Sequence, residues 1–211
     1  MKKTPSLFKR DYDGDRRATD EVVPGSEWVL AGEGVATLKL DGTSCMVRDD
    51  KLYRRYDRKL HKKAQRRKRS GHEGPWVEAD FKVAPEGFEP CEKQPSQHTG
   101  HWPGWVPVGD GPADKYHREG FIHLNQVAEE HNEAFRDGTY ELVGPSVQAN
   151  PHGLTQHVLW RHGAVVLTVP VLTFEGIRDF LTGFRCEGIV WHHPDGRMVK
   201  IKRRDFGLEW P

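Results

Sequence analysis

The sequence predicts an α+β protein built mainly from antiparallel sheets. Three observations predict it. Strand-like runs come in neighbouring pairs joined by tight turns. Helix-like runs are few and separate from them. There is no strand–helix–strand alternation, which excludes a parallel doubly wound sheet. The 211 residues suffice for one ordinary domain, or one with a small appendage. Seven Trp, nine Phe and five Tyr can fill its core.

Residues 1–25 show no periodicity and read as an irregular N-terminal arm, followed by one domain over 26–211. VATLKL (35–40), SCMVR (44–48) and KLYRRY (51–56) alternate as strands, the last two joined at Asp49-Asp50. Residues 57–75 begin as a helix and then loosen. Residues 82–114 are rich in Pro and Gly and read as a long ordered loop or flap. Trp102 and Trp105 would anchor it or offer stacking surfaces. LNQVAEEHNEAFRDG (124–138) fits a helix ended by Gly138. TYELV (139–143) and HVLWRHGAVVLTVPVL (157–172) supply further strands. FEGIRDFLTGF (174–184) fits a short helix with Thr173 as N-cap. EGIVWHH and RMVKIKR form a last hairpin around Pro194-Asp195-Gly196.

Composition narrows the classes. No run is long and apolar enough for a transmembrane helix. The basic N-terminus MKKTPSLFKRDYDGD lacks the apolar stretch of a secretory signal. Cys45, Cys91 and Cys186 are far apart and show no CxxC spacing, so a reducing cytoplasm is the expectation. The net charge of +1 argues against a nonspecific nucleic-acid binder. It conceals one basic block, RRYDRKLHKKAQRRKR from Arg54 to Arg69, whose single acid is Asp57. Such a block is either a solvated face or a surface that meets phosphates. The twelve histidines show no recognised ligand spacing, and a dedicated zinc site is not expected. Adjacent His192 and His193 fall on opposite faces of a strand.

The sharpest local signal is Lys39-Leu40-Asp41-Gly42. A K-x-D-G string arises by chance in roughly one chain in twenty of this length, and a strand ending in an Asp-Gly turn would produce it too. Strand alternation adds context. It puts Lys200 and Lys202 on one face, Lys39 and Asp41 on one face, and Glu187, Ile189 and Trp191 on one face. Lysines, an arginine and glutamates from different strands could then meet, a mixed set suited to a polyphosphate with a divalent cation.

Tyr140-Glu141-Leu142-Val143-Gly144, Glu187-Gly188-Ile189-Val190-Trp191 and Val199-Lys200-Ile201-Lys202 follow the Lys39 string in order. Together the four segments resemble motifs I, III, IV and V of the covalent nucleotidyltransferases, and Arg55 matches the arginine placed after motif I. GHWPGWVPV (100–108), YELVGPSVQANPHGL (140–154), RHGA (161–164) and the stretch 187–211 narrow the match. From about residue 35 onward the chain resembles the RNA 5′→3′ ligase family, which includes a vertebrate RNA repair ligase.

The resemblance implies a nucleotidyltransferase (ATP-grasp-like) ligase core of antiparallel sheets with flanking helices and no C-terminal OB domain. It implies ATP-dependent joining of an RNA 5′-phosphate to a 3′-hydroxyl, with Mg²⁺ as cofactor and Mn²⁺ as an alternative. Lys39 would carry AMP covalently. Lys200, Lys202 and Arg55 would contact the phosphates and disfavour the charged form of Lys39. Glu187 would be the metal-side carboxylate, and Glu141 would meet the ribose or the metal. Asp41 would orient Lys39. Leu38 would adjoin the nucleotide, although relatives often carry Glu or Thr there and a leucine side chain cannot bond adenine. Asn150-Pro151-His152-Gly153 is either a turn or part of the site. Partners are ATP and RNA, with no membrane, and a monomer is the expectation. The alternatives are a DNA ligase or guanylyltransferase of the same superfamily, and a non-catalytic RNA-binding module using the basic block.

Overall fold

A computed structural model describes residues 3–72, 74–130 and 137–210. The chain divides into two compact units. Unit 1 is mainly Thr43–Val147 with Leu154–Leu159; unit 2 is Thr4–Gly42, Gln148–Gly153 and the chain from Trp160 onward. The chain leaves unit 2 at Gly42, directly after the Lys39 string. All strand pairings between named strands are antiparallel. No described helix is long and apolar enough to cross a membrane.

Unit 2 opens with a hairpin of β1 (Phe8–Arg10) and β2 (Ala18–Val22). Its main sheet has three strands in the order β11-β10-β3. These are β3 (Val35–Lys39), β10 (Gly188–His192) and β11 (Met198–Lys202). One face of the sheet packs Ala36, Ile189, Trp191, Val199 and Ile201 with Leu7, Phe8, Trp28 and helix α3 (Phe174–Gly183). Thr173 Oγ1 accepts the Gly176 amide at 3.1 Å, as an N-cap should.

The irregular arm expected over residues 1–25 is corrected here. Leu7 and Phe8 are fully buried in this core. Burying the two contributes together about 3–6 kcal/mol. The segment carries no local periodicity because long-range packing orders it: Leu7 N–H donates to the Lys200 carbonyl at 2.8 Å.

Unit 1 holds a six-stranded sheet in the order β6-β7-β5-β4-β8-β9. The strands are β4 (Thr43–Arg48), β5 (Lys51–Lys59), β6 (Glu89–Pro90), β7 (His101–Pro107), β8 (Gly138–Val143) and β9 (Val158–Arg161), which contributes Val158 and Leu159 to this unit. Asp49 and Asp50 both take positive φ, at 50° and 55°, forming the tight β4–β5 turn. Helix α1 (Lys62–Arg69) follows β5, with the His61 ring accepting the Ala64 amide at its start.

Three expectations change. The Pro/Gly-rich stretch 82–114 is not a flap throughout, because β7 pairs with β5 over seven residues. A Cβ at Gly104 would lie 2.3 Å from the Phe88 ring and 2.4 Å from the Glu89 carbonyl oxygen. That glycine marks the close approach of β6, not a loop. Trp102 and Trp105 are buried, Trp102 against Phe81, Leu60 and Trp76. The helix expected at 124–138 begins at Lys115 instead, as α2 (Lys115–Glu130). Residues 131–136 lie outside the described residues, and Gly138 opens β8. Of 157–172, only Val158–Arg161 is a strand, although Val166 bridges Thr37 of β3.

Candidate active site around Lys39

The register of the three-stranded sheet assembles the site. Gly188 of β10 pairs with Lys39 on one side and with Lys202 on the other. Paired residues share a face, so Lys39 and Lys202 project from the face opposite the core. Lys200 and Thr37, the partners of Val190, share that face. A Cβ at Gly188 would lie 2.1 Å from the Ile201 carbonyl oxygen, so only glycine lets β10 and β11 approach this closely.

Glu187 joins the two lysines. Lys39 Nζ donates to Glu187 Oε2 at 2.5 Å, and Lys202 Nζ donates to Glu187 Oε1. Lys39 Nζ also donates to the Leu40 carbonyl at 3.1 Å. The side chains of Lys39, Lys202 and Glu187 are 17%, 14% and 6% exposed. With all three ionised, the cluster keeps one positive charge uncompensated. Burial pushes the Lys202 pKa down, helped by the Lys39 ammonium and opposed by Glu187.

The expected sharing of a face by Glu187, Ile189 and Trp191 is therefore corrected. Ile189 and Trp191 enter the core while the Glu187 carboxylate meets lysines on the other face. Alternation governs residues within a strand, and Glu187 stands one residue ahead of β10.

Asp41 does not bond Lys39. Its carboxylate accepts the Trp210 indole N–H at 2.7 Å, and its own amide donates to His152 Nε2 at 3.2 Å. The His152 ring meets Trp160 edge-on at 5.3 Å and lies 6.3 Å from Trp210. His152 sits in a turn where Gln148, Ala149 and Asn150 all take positive φ. The 150–153 string is thus a turn that also reaches the Lys39 segment. Trp210 bonds the Lys39 segment at Asp41 and was missed by sequence reasoning; its only signal was membership in the 187–211 stretch. Leu38 pairs with Ile189 and packs against the core, while its amide donates to the Val165 carbonyl at 2.9 Å. Its side chain is not part of the lysine face.

Arg55 and Glu141 belong to unit 1. Glu141 pairs with Ser44, and Cys45 pairs with Arg54, so alternation puts Glu141, Ser44 and Arg55 on one face of the six-stranded sheet. The Arg55 guanidinium lies 5.5 Å from the centre of the Trp105 ring. Burial pushes the Cys45 thiol pKa up, helped by the charge of Glu141, which is itself buried. Burial likewise pushes Cys186 up to about 11. Both cysteines are free. His192 bonds Thr37 at 3.0 Å and His193 bonds Glu33 at 3.0 Å. Among the described residues no group of three or more His, Cys, Asp or Glu could hold a metal ion.

The chain is similar to known proteins. A family model for RNA ligase 1 matches residues 9–211. RNA ligase 1 of Mus musculus is 33% identical, over all of this chain and 82% of the mouse protein. The Rattus norvegicus protein is 33% identical with the same coverage. The Danio rerio protein is 32% identical over 92% of this chain and 74% of its own length. The chain belongs to the RNA ligase 1 family.

Proposed function

We propose that this protein is an ATP-dependent RNA ligase that joins an RNA 5′-phosphate to a 3′-hydroxyl through AMP carried on Lys39. The observation that carries the reading is the Lys39–Glu187–Lys202 cluster: a nucleophile candidate, a carboxylate and a second cation on one sheet face, in a chain of the RNA ligase 1 family.

The chemistry follows from those groups. Lys39 Nζ attacks the α-phosphorus of ATP; an N–P bond forms and the P–O bond to pyrophosphate breaks. The amine must be neutral to attack. Glu187 Oε2, 2.5 Å away, is placed to take its proton. Lys202, freed from Glu187 as that carboxylate is protonated, meets the negative charge developing on the α-phosphate. An RNA 5′-phosphate oxygen then attacks the same phosphorus, and Lys39 leaves as the amine. The RNA 3′-hydroxyl finally attacks the activated 5′-phosphate, and AMP departs. Lys200, on the lysine face, adds charge for the phosphates, and the motif positions of Arg55 and Glu141 make each a candidate nucleotide contact.

The residues fit Mg²⁺ of a particular kind. Glu187 is the carboxylate that both Lys39 and Lys202 meet, and no group of three or more such ligands stands among the described residues, which suits an ion that retains water and arrives with phosphates. Glu187, before it takes the proton, or Glu141 would hold it. The ion would neutralise charge on the leaving pyrophosphate.

Incubation with α-labelled ATP and a divalent cation should leave label on the protein that a 5′-phosphorylated RNA then removes. GTP in a parallel sample tests a guanylyltransferase. Absence of label with either nucleotide rejects the mechanism.

A further inference from the structure

An open cavity of about 580 Å³ in unit 2 is lined by Arg185, Arg203, Glu209 and Trp210. Its volume lies within the roughly 300–1,000 Å³ of small-molecule sites. None of Lys39, Glu187 or Lys202 lines it. It nevertheless adjoins their segment, because its Trp210 wall is hydrogen-bonded to Asp41, two residues beyond Lys39.

The wall is chemically unfinished. Arg185 is exposed and has no hydrogen bond or ion pair among the described residues. Arg203 donates from Nε to the Glu209 backbone carbonyl at 2.9 Å and from Nη1 to the Phe184 carbonyl at 3.2 Å and the Leu181 carbonyl. These partners are neutral, so its charge is uncancelled. The Glu209 carboxylate has no ion pair among the described residues. Trp210 has its only polar atom committed to Asp41, so its ring face is what it can offer a ligand.

We infer that this cavity is a subsite for one nucleotide of the RNA strand. Arg185 supplies a phosphate site, since its guanidinium can meet phosphate oxygens with paired donors, and Arg203, whose Nε and Nη1 are already bonded, adds its charge. Trp210 supplies a stacking surface for a base. Glu209 supplies an acceptor for a ribose 2′-hydroxyl, the group that distinguishes RNA from DNA. Because the cavity is open, the strand can continue beyond the bound nucleotide. The inference rests on the RNA-ligase reading and adds the residues that hold the strand.

The test measures binding of a fluorescent, 5′-phosphorylated oligoribonucleotide to the full chain by anisotropy across salt concentrations, with ATP labelling run in parallel. Arg185→Ala should raise Kd about tenfold and reduce the slope of log Kd against log salt by about 0.7, as for one lost single-strand phosphate contact. Arg185→Glu should weaken binding further, and Arg185→Lys should restore most of it. ATP labelling reports on the Lys39 cluster, to which Arg185 does not belong. RNA Kd and salt slope unchanged in both Arg185→Ala and Arg185→Glu would overturn the subsite. So would a raised ATP requirement for labelling with RNA binding intact, which would assign the cavity to free nucleotide. An unlabelled natural chain whose RNA affinity still depends on Arg185 rejects the Lys39 chemistry and supports the subsite. A labelled chain indifferent to Arg185 does the reverse.

Discussion

In the three-stranded sheet, Lys39 and Lys202 share one buried carboxylate, Glu187. In helix α1, Lys62, Lys63, Arg66 and Arg69 stand exposed, and none has an ion pair among the described residues. Both regions are basic in sequence, but water treats them differently. A buried ammonium needs a partner, because desolvation penalises its charge. An exposed one keeps its hydration and acts at longer range, until salt screens it beyond about 8–10 Å. The half-buried pair suits contact with a bound polyphosphate; the exposed row suits loose attraction of an RNA backbone. The basic block is also divided within itself. Arg67 pairs with the buried Asp80 at 2.8 Å, and Lys68 donates to the Thr99 carbonyl, so these two fasten the helix.

The comparison breaks most plainly at Lys39. Lys39→Ala should reduce labelling by α-labelled ATP at least about a thousandfold, to background. Label persisting in that variant would move the nucleophile elsewhere.

Glu187→Gln comes next, because it leaves two half-buried ammonium groups without their buried carboxylate. The expected loss is about 3 kcal/mol of stability, seen as a fall of roughly 6–12 °C in Tm, with labelling slowed about a hundredfold. An unchanged melting curve would show that the cluster is wetter than its burial suggests.

Neutralising the exposed row sharpens the contrast. The quadruple change of Lys62, Lys63, Arg66 and Arg69 to Gln should weaken RNA joining roughly tenfold at low salt and shrink its salt dependence. ATP labelling is the control in the same preparation. An equal fall in labelling would make the helix structural instead of RNA-facing.

The smallest effect belongs to Arg67→Ala, at about 0.5–1 kcal/mol because the guanidinium is partly exposed. Its partner supplies a pH test. The Val77 amide and then the Arg67 charge hold Asp80 below its ordinary value of 3.8. A carboxylate depressed on folding stabilises the fold above about pH 3.8 and loses that contribution as pH falls through its folded value. The stability gap between the natural chain and Asp80→Asn should therefore close in acid. A gap constant down to pH 2 would contradict the assignment.

Much of this was legible locally. The Lys39 strand, the final hairpin and the Thr173 cap follow from alternation, turn residues and capping, which depend on neighbours within a few positions. The residues that misled are those whose surroundings come from afar. Gly104 looks like loop punctuation until Phe88 is seen against it. Leu7 and Phe8 have no periodic context, yet they fill the unit 2 core. Asp41 appeared to belong to Lys39, two residues away, and is bonded instead to Trp210, 169 residues on.

By itself, the sequence determined the antiparallel α+β character, the strands that carry Lys39, Lys200 and Lys202, and the kinship with RNA ligases, because period-two patterning and ordered motifs are properties of the chain alone. Tertiary structure decided which carboxylate those lysines meet. Strand pairing set Gly188 between Lys39 and Lys202, and Glu187, released from alternation at the strand end, took the place between their charges.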